Sequence, residues 1–109
     1  MTEGMREQHH DGQLRRLWEE HRRARFPPGF RGVDVEGVDL VMLDADVAGV
    51  VHRELDGGLD DQGLAVLWWC IAGLDKVLPL IDDEYCASYY GRLRTLARLT
   101  AARHLPAAS

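Results

Sequence analysis

Along most of this chain apolar residues recur at intervals of three and four, the spacing that lines one side of an α-helix. In residues 13–26, Leu14, Leu17, Trp18, His21 and Ala24 make a narrow seam on an otherwise charged segment, which predicts a short helix that must lie on other elements. Pro27, Pro28 and Gly29 stop it, and Phe30 to Gly37 read as an extended connector with Val33 and Val35 alternating against Asp34 and Glu36. Residues 1–12 show no period and are expected to form a loose N-terminal arm, and residues 106–109 a C-terminal tail.

Asp39 stands between Val38 and Leu43, the two positions of a hydrophobic staple, and so reads as an N-cap. At 100° per residue, Leu40, Leu43, Val47, Val50, Val51 and Leu55 then share one side of a helix running to about Asp56, with Met42, Asp46, Gly49 and Arg53 opposite. Gly57 and Gly58 end it. A rival reading makes Val38 to Leu43 a strand and starts the helix at Asp44, because short apolar runs are ambiguous.

The staple recurs around Asp60, between Leu59 and Leu64, and predicts a helix to Leu78, just before Pro79. This segment is apolar on two sides: Leu64, Leu67, Trp68, Ile71, Leu74 and Leu78 on one, Val66, Trp69, Cys70, Gly73 and Val77 on the other. Both sides require cover, which predicts that this helix is the spine of the fold. The second side is expected under the Leu14, Leu17 and Trp18 seam, with a homodimer as the alternative. A last helix begins at Asp82 or Asp83 and presents Tyr85, Tyr89, Leu93, Leu96 and Thr100 inward, ending near Pro106. The predicted fold is all-α, a small antiparallel helical bundle of three long helices plus one shorter N-terminal helix, forming one domain over residues 13–105.

Charge sharpens this picture. The 109-residue chain has a net charge of −5, yet residues 32–91 hold 13 acidic and 2 basic side chains, whereas residues 1–31 and 92–109 are both net basic. An acidic body opposes general nucleic-acid binding and favours a protein partner with a basic surface. Antiparallel packing should bring Asp34, Glu36 and Asp39 toward Asp82, Asp83 and Glu84 at one pole, a candidate partner-binding site. Asp44 and Asp75 fall among apolar positions and Arg92 at the edge of a stripe, and an unpaired buried charge costs several kcal/mol. Arg92 or Arg103 is therefore expected to pair with Asp44 or Asp75, either as a structural ion pair or as the wall of a ligand pocket.

Catalytic signatures are missing: the sequence holds no phosphate-cradling Gly-rich loop, HExxH, CxxC or GxSxG, and its serines are Ser88 and Ser109 alone. Cys70 and Cys86 lie in apolar stretches and read as unpaired, packed thiols, since they fall at unequal distances from the turn near Leu80. His9, His10, His21, His52 and His104 never occur at i, i+4, so no zinc site is expected, and the regular oxygen spacing of a calcium loop is absent too. No cofactor is implied. The apolar run Leu64 to Leu74 falls short of the roughly 20 residues of a bilayer span, and the polar beginning MTEGMREQHHDG carries no leader pattern, so the expected location is cytoplasmic.

The leading expectation is a non-enzymatic interaction module, in the manner of immunity, antitoxin or accessory regulatory proteins, that docks a partner through acidic surface. Two alternatives remain open. One is a dimeric DNA-associated regulator that sets Arg15, Arg16, Arg22, Arg23 and Arg25 on phosphates, although the helix Leu64 to Leu78 has almost no polar side chain to read a base. The other is a small-molecule pocket lined by Trp68, Tyr89 and Asp75.

Overall fold

Three aspartates set the starts of three helices. Asp39 Oδ1 accepts from the Met42 amide at 3.1 Å, Asp60 Oδ1 from Gly63 at 2.8 Å and Asp83 Oδ2 from Cys86 at 2.9 Å. Each carboxylate satisfies a first-turn N–H and faces the positive end of the helix dipole. The computed structural model describes residues 2–105, with side chains described from residue 12 onward. Its elements are α1 (Thr2–Arg23), β1 (Asp34–Val35), β2 (Val38–Asp39), α2 (Leu40–Asp56), α3 (Asp61–Val77), a 3₁₀ turn (Leu78–Leu80) and α4 (Glu84–Ala102). The predicted tail, residues 106–109, lies outside the described residues.

The all-α bundle stands, with corrections at its N-terminal side. The backbone of the expected arm is helical from Thr2, so α1 runs 22 residues and is not the short helix of the set. No proline interrupts residues 2–26, and an amphipathic turn that packs can propagate toward the N-terminus at one hydrogen bond per residue. The connector closes into a minimal antiparallel hairpin, with Asp34 opposite Asp39 and Val35 opposite Val38. Its two-residue turn has positive φ at both Glu36 (51°) and Gly37 (78°), the twist that suits a tight hairpin. The rival strand reading is thus right for Val38 and Asp39 only, and α2 begins immediately afterwards at Leu40.

Sequential helices alternate in direction. Arg15 of α1 donates to the Leu55 carbonyl at one end of α2, while His21 lies beside Asp44 near the other, so α1 and α2 are antiparallel. The notch at Gly73 of α3 abuts Leu43 of α2. Near the start of α4 Tyr90 donates to the Leu40 carbonyl, and His104, just past its end, meets Glu54, so α4 runs parallel to α2.

The spine is α4 rather than α3, a second correction. Helix α4 packs on each of the other three helices and buries Cys86, Tyr89, Tyr90, Leu93, Leu96, Ala97, Thr100 and Ala101. Helix α3 packs on α2 and α4 and buries Gly63, Leu67, Cys70, Ile71, Leu74 and Val77. The α1 seam, with Leu14 fully buried and Leu17 and Trp18 packed against the core, seats on α4 and does not form the expected cover for α3. Polar contacts accompany the choice: among the described residues His21 meets Arg92 of α4 and Asp44 of α2, and Arg15 meets the Leu55 carbonyl of α2.

Candidate functional site

Because α1 is engaged elsewhere, one side of α3 faces solvent. Trp69 is 76% exposed and Trp68 49%, and on neighbouring α2 Met42 is 56% exposed. Between Trp69 and Met42 lies a groove of about 290 Å³ whose floor is Gly73 and whose walls also include Leu43 and Val38. Asp39 and Asp46 line it on the α2 side, and Lys76 closes one end. Each residue arrives there for a local reason. Met42 and Asp46 lie opposite the buried stripe of α2, the N-cap Asp39 is fixed by its bond to the Met42 amide, and Gly73 leaves α3 without a side chain where Leu43 and Val38 approach.

The two surfaces expected from the sequence therefore partly merge. Asp39, from the acidic group, and Trp69 and Gly73, from the second side of α3, line one groove. Asp34 and Glu36 are exposed on the same hairpin as Asp39. Of the remaining members of the second side, Val66 is half-buried, whereas Cys70 and Val77 belong to the core and are unavailable to a partner. Asp82, Asp83 and Glu84 are exposed at the start of α4, and Asp83 is committed to its cap. That end of the bundle is not uniformly negative, because Tyr85 donates to the Arg25 carbonyl and so draws in the arginine-rich end of α1.

The flagged ionisable residues are all engaged, with other partners than those expected. Asp75 is 43% exposed at its side chain and pairs with Arg94 at 2.6 Å and Arg98 at 3.5 Å. The Arg94 hydrogen bond holds its carboxyl below the usual carboxylate range. Arg103 meets Glu54 at 3.3 Å, and Glu54 also takes His104 at 2.7 Å and the Leu59 amide at 3.2 Å. Glu54 thus joins the ends of α2 and α4 to the loop before α3, and sequence reasoning missed it. The signal was there, since Glu54 stands seven residues after Val47 on the inward side of α2.

Arg92 and Asp44 share one buried cluster without touching each other. Arg92 Nε donates to His21 Nδ1 at 2.9 Å, which leaves the ring proton on Nε2, 3.7 Å from Asp44 Oδ1. Tyr89 donates to Asp44 Oδ2 at 2.9 Å and packs edge-on against Phe26 and at tilted angles against His21, Tyr85 and Tyr90. Burial, with Asp44 close by, drives the Tyr89 phenol far above its ordinary pKa, so it stays a proton donor. The cluster ties α1, α2 and α4 together. The ligand pocket expected from Trp68, Tyr89 and Asp75 is not formed: Tyr89 is buried in this cluster, whereas Trp68 and Asp75 are exposed on α3.

Burial pushes both thiols up to about 11, so near neutral pH Cys70 and Cys86 are protonated and packed away from reagents. Among the described residues no group of three or more His, Cys, Asp or Glu side chains is placed to hold a metal ion, and the side chains of His9 and His10 lie outside those described. On α1, Arg15 and Arg22 are occupied by the Leu55 carbonyl and by Glu19. Helix α3 with its 3₁₀ turn, Asp61–Leu80, is long and apolar enough to cross a membrane by length and composition, at a mean hydropathy of 1.5, and it packs here as one layer of the bundle. Comparison with protein-family models, curated proteins and solved structures finds no match to this chain.

Proposed function

We propose that this chain is a cytoplasmic, non-enzymatic interaction module that docks a protein partner on the acid-lined face between α2 and α3. The observation that carries the reading is Trp69, 76% exposed at the wall of a groove that also holds Met42, Asp39 and Asp46. Water-exposed tryptophan and methionine beside carboxylates have the composition of an anchor site with a polar rim, where a few aromatic side chains supply most of the affinity. The remaining ionisable clusters support the same reading, because Asp44 and Arg92 spend their hydrogen bonds on neighbouring helices and Glu54 on the loop before α3 and on the residues just past α4. Affinity capture from the native lysate, run in parallel with wild type, Trp69→Ala and the double variant Asp39→Asn with Asp46→Asn, tests it. A partner retained by wild type, weakened by salt and lost from both variants is expected. A set of captured proteins that the variants leave unchanged overturns the reading.

A further inference from the structure

The charge around this groove identifies the chemistry of its occupant. Its floor at Gly73 has no side chain, and a Cβ placed there would sit 3.4 Å from Leu43 Cδ1 and 4.0 Å from Val38 Cγ1, so the floor admits a methyl group at ordinary contact with Leu43 and Val38. Met42 and Trp69 flank it. On the α2 side the carboxylates of Asp39 and Asp46 face whatever enters. Asp39 spends Oδ1 on the Met42 amide, which leaves Oδ2 to accept from a ligand. The single cation of the lining, Lys76, stands at one end and gives the site a direction.

We infer that the occupant is an amphipathic basic segment of a partner protein, which sets an apolar side chain over Gly73 between Met42 and Trp69 and lysine or arginine against Asp39 and Asp46. The inference rests on the docking reading above and names the partner's chemistry. A second copy fits less well, because a two-fold contact brings together two faces on each of which two carboxylates, Asp39 and Asp46, stand against one cation, Lys76. The surrounding residues 32–91, with 13 acidic and 2 basic side chains, add to the resulting repulsion. An anionic lipid surface is disfavoured by the same charges. An apolar anchor flanked by cations gains from both the burial of Trp69 and the desolvated approach of opposite charges.

The experiment uses the full chain and a fluorescein-labelled amphipathic helical peptide of leucine and lysine, with a leucine and glutamate peptide of the same pattern as its counterpart. Anisotropy titration is expected to show binding of the lysine peptide only. Trp69→Ala should weaken it about tenfold or more, the loss of a hot-spot side chain. Gly73→Ala, which fills the notch at ordinary contact distances and leaves the fold intact, should weaken it by a similar factor. Asp39→Asn with Asp46→Asn should flatten the salt dependence, and Asn keeps the α2 cap. Asp56→Asn, at the far end of α2, should change neither affinity nor salt slope. Equal binding of the two peptides, or binding indifferent to both Trp69→Ala and Gly73→Ala, overturns the inference. Sedimentation separates it from the broader reading: a dimer dissolved by Trp69→Ala, with no peptide binding, names a second copy as occupant and overturns the basic-segment inference while the docking face stands. If Trp69→Ala alters neither lysate capture, peptide binding nor sedimentation, both fall.

Discussion

In sequence α3 is apolar on two sides and α4 on one, yet the fold covers α4 more fully. Helix α4 is covered on three sides, and α3 keeps Trp68 and Trp69 in water. The difference lies in the polar groups interleaved with the apolar ones. Tyr89, Tyr90 and Arg92 of α4 offer hydrogen bonds that α1 and α2 complete through His21, Asp44 and the Leu40 carbonyl. Where α3 lines the groove it offers Trp69, Ala72, Gly73 and Lys76, and among the described residues none of α1 joins that lining. Hydrophobic pattern says that a surface gains from burial, and polar complementarity decides which neighbour buries it.

The strongest test of this contrast is a pair of truncations. Leu93→Ala in α4 removes a fully buried side chain from the core and should cost about 2–5 kcal/mol in urea unfolding. Trp69→Ala removes more atoms but should shift stability by only about 0.5 kcal/mol, because they contact mostly water. A Trp69→Ala loss as large as that of Leu93→Ala would mean that another chain already covers α3.

The inner sides of the two helices should behave alike, and one thiol on each reports on that. Cys70 and Cys86 are both fully buried, with pKa raised from 9.0 to about 11. Once unfolded, a thiol ionises from about pH 9 upward and binds fewer protons than the folded form, so stability falls as pH rises between 9 and 11 and is unaffected by these groups below that window. The expected slope is about 1.4 kcal/mol per pH unit for each thiol, read from urea midpoints across the window. Cys86→Ala and Cys70→Ala should each remove a similar share of it. A disulfide reagent near neutral pH should label neither thiol until urea is added, and selective labelling of Cys70 would show α3 opening on its own.

A smaller effect comes from the bond that sets α4 against α2. Tyr90 is fully buried and its hydroxyl donates to the Leu40 carbonyl. Tyr90→Phe keeps the ring and removes this bond while the carbonyl keeps its place in the first turn of α2, an expected loss of about 0.5–1.5 kcal/mol in thermal or urea unfolding. No change would mean that packing alone selects α2 as the neighbour of α4.

What could be read in the sequence was local. Asp39, Asp60 and Asp83 announce the helix starts because capping involves a side chain and an amide three residues on, and Gly57 with Gly58 marks the end of α2 for similar reasons. The choice of neighbours was not legible, since the partners of Asp75, Arg92 and Arg103 lie 19 or more residues away and depend on which helices meet. The candidate site was half legible: Trp69 and Gly73 were recognisable as a surface needing cover and Asp39 as part of an acidic group, but their union in one groove needed α2 and α3 set side by side with α1 elsewhere.

The hairpin that carries the acidic rim shows the same limit at its smallest scale. Asn-Gly or Asp-Gly between alternating apolar residues signals a two-residue hairpin, whereas here the first turn position is Glu36, held at φ 51° in the left-handed region. A non-glycine residue without a short polar side chain is uncommon there, which is why the segment reads as a plain connector. Glu36→Asn should relieve that conflict and raise stability by roughly 0.5–1 kcal/mol, seen as a small upward shift of the unfolding midpoint. It also removes one carboxylate beside Asp34 and Asp39, so peptide affinity and stability should move in opposite directions. If both rise together, the hairpin supplies shape to the docking face and not charge.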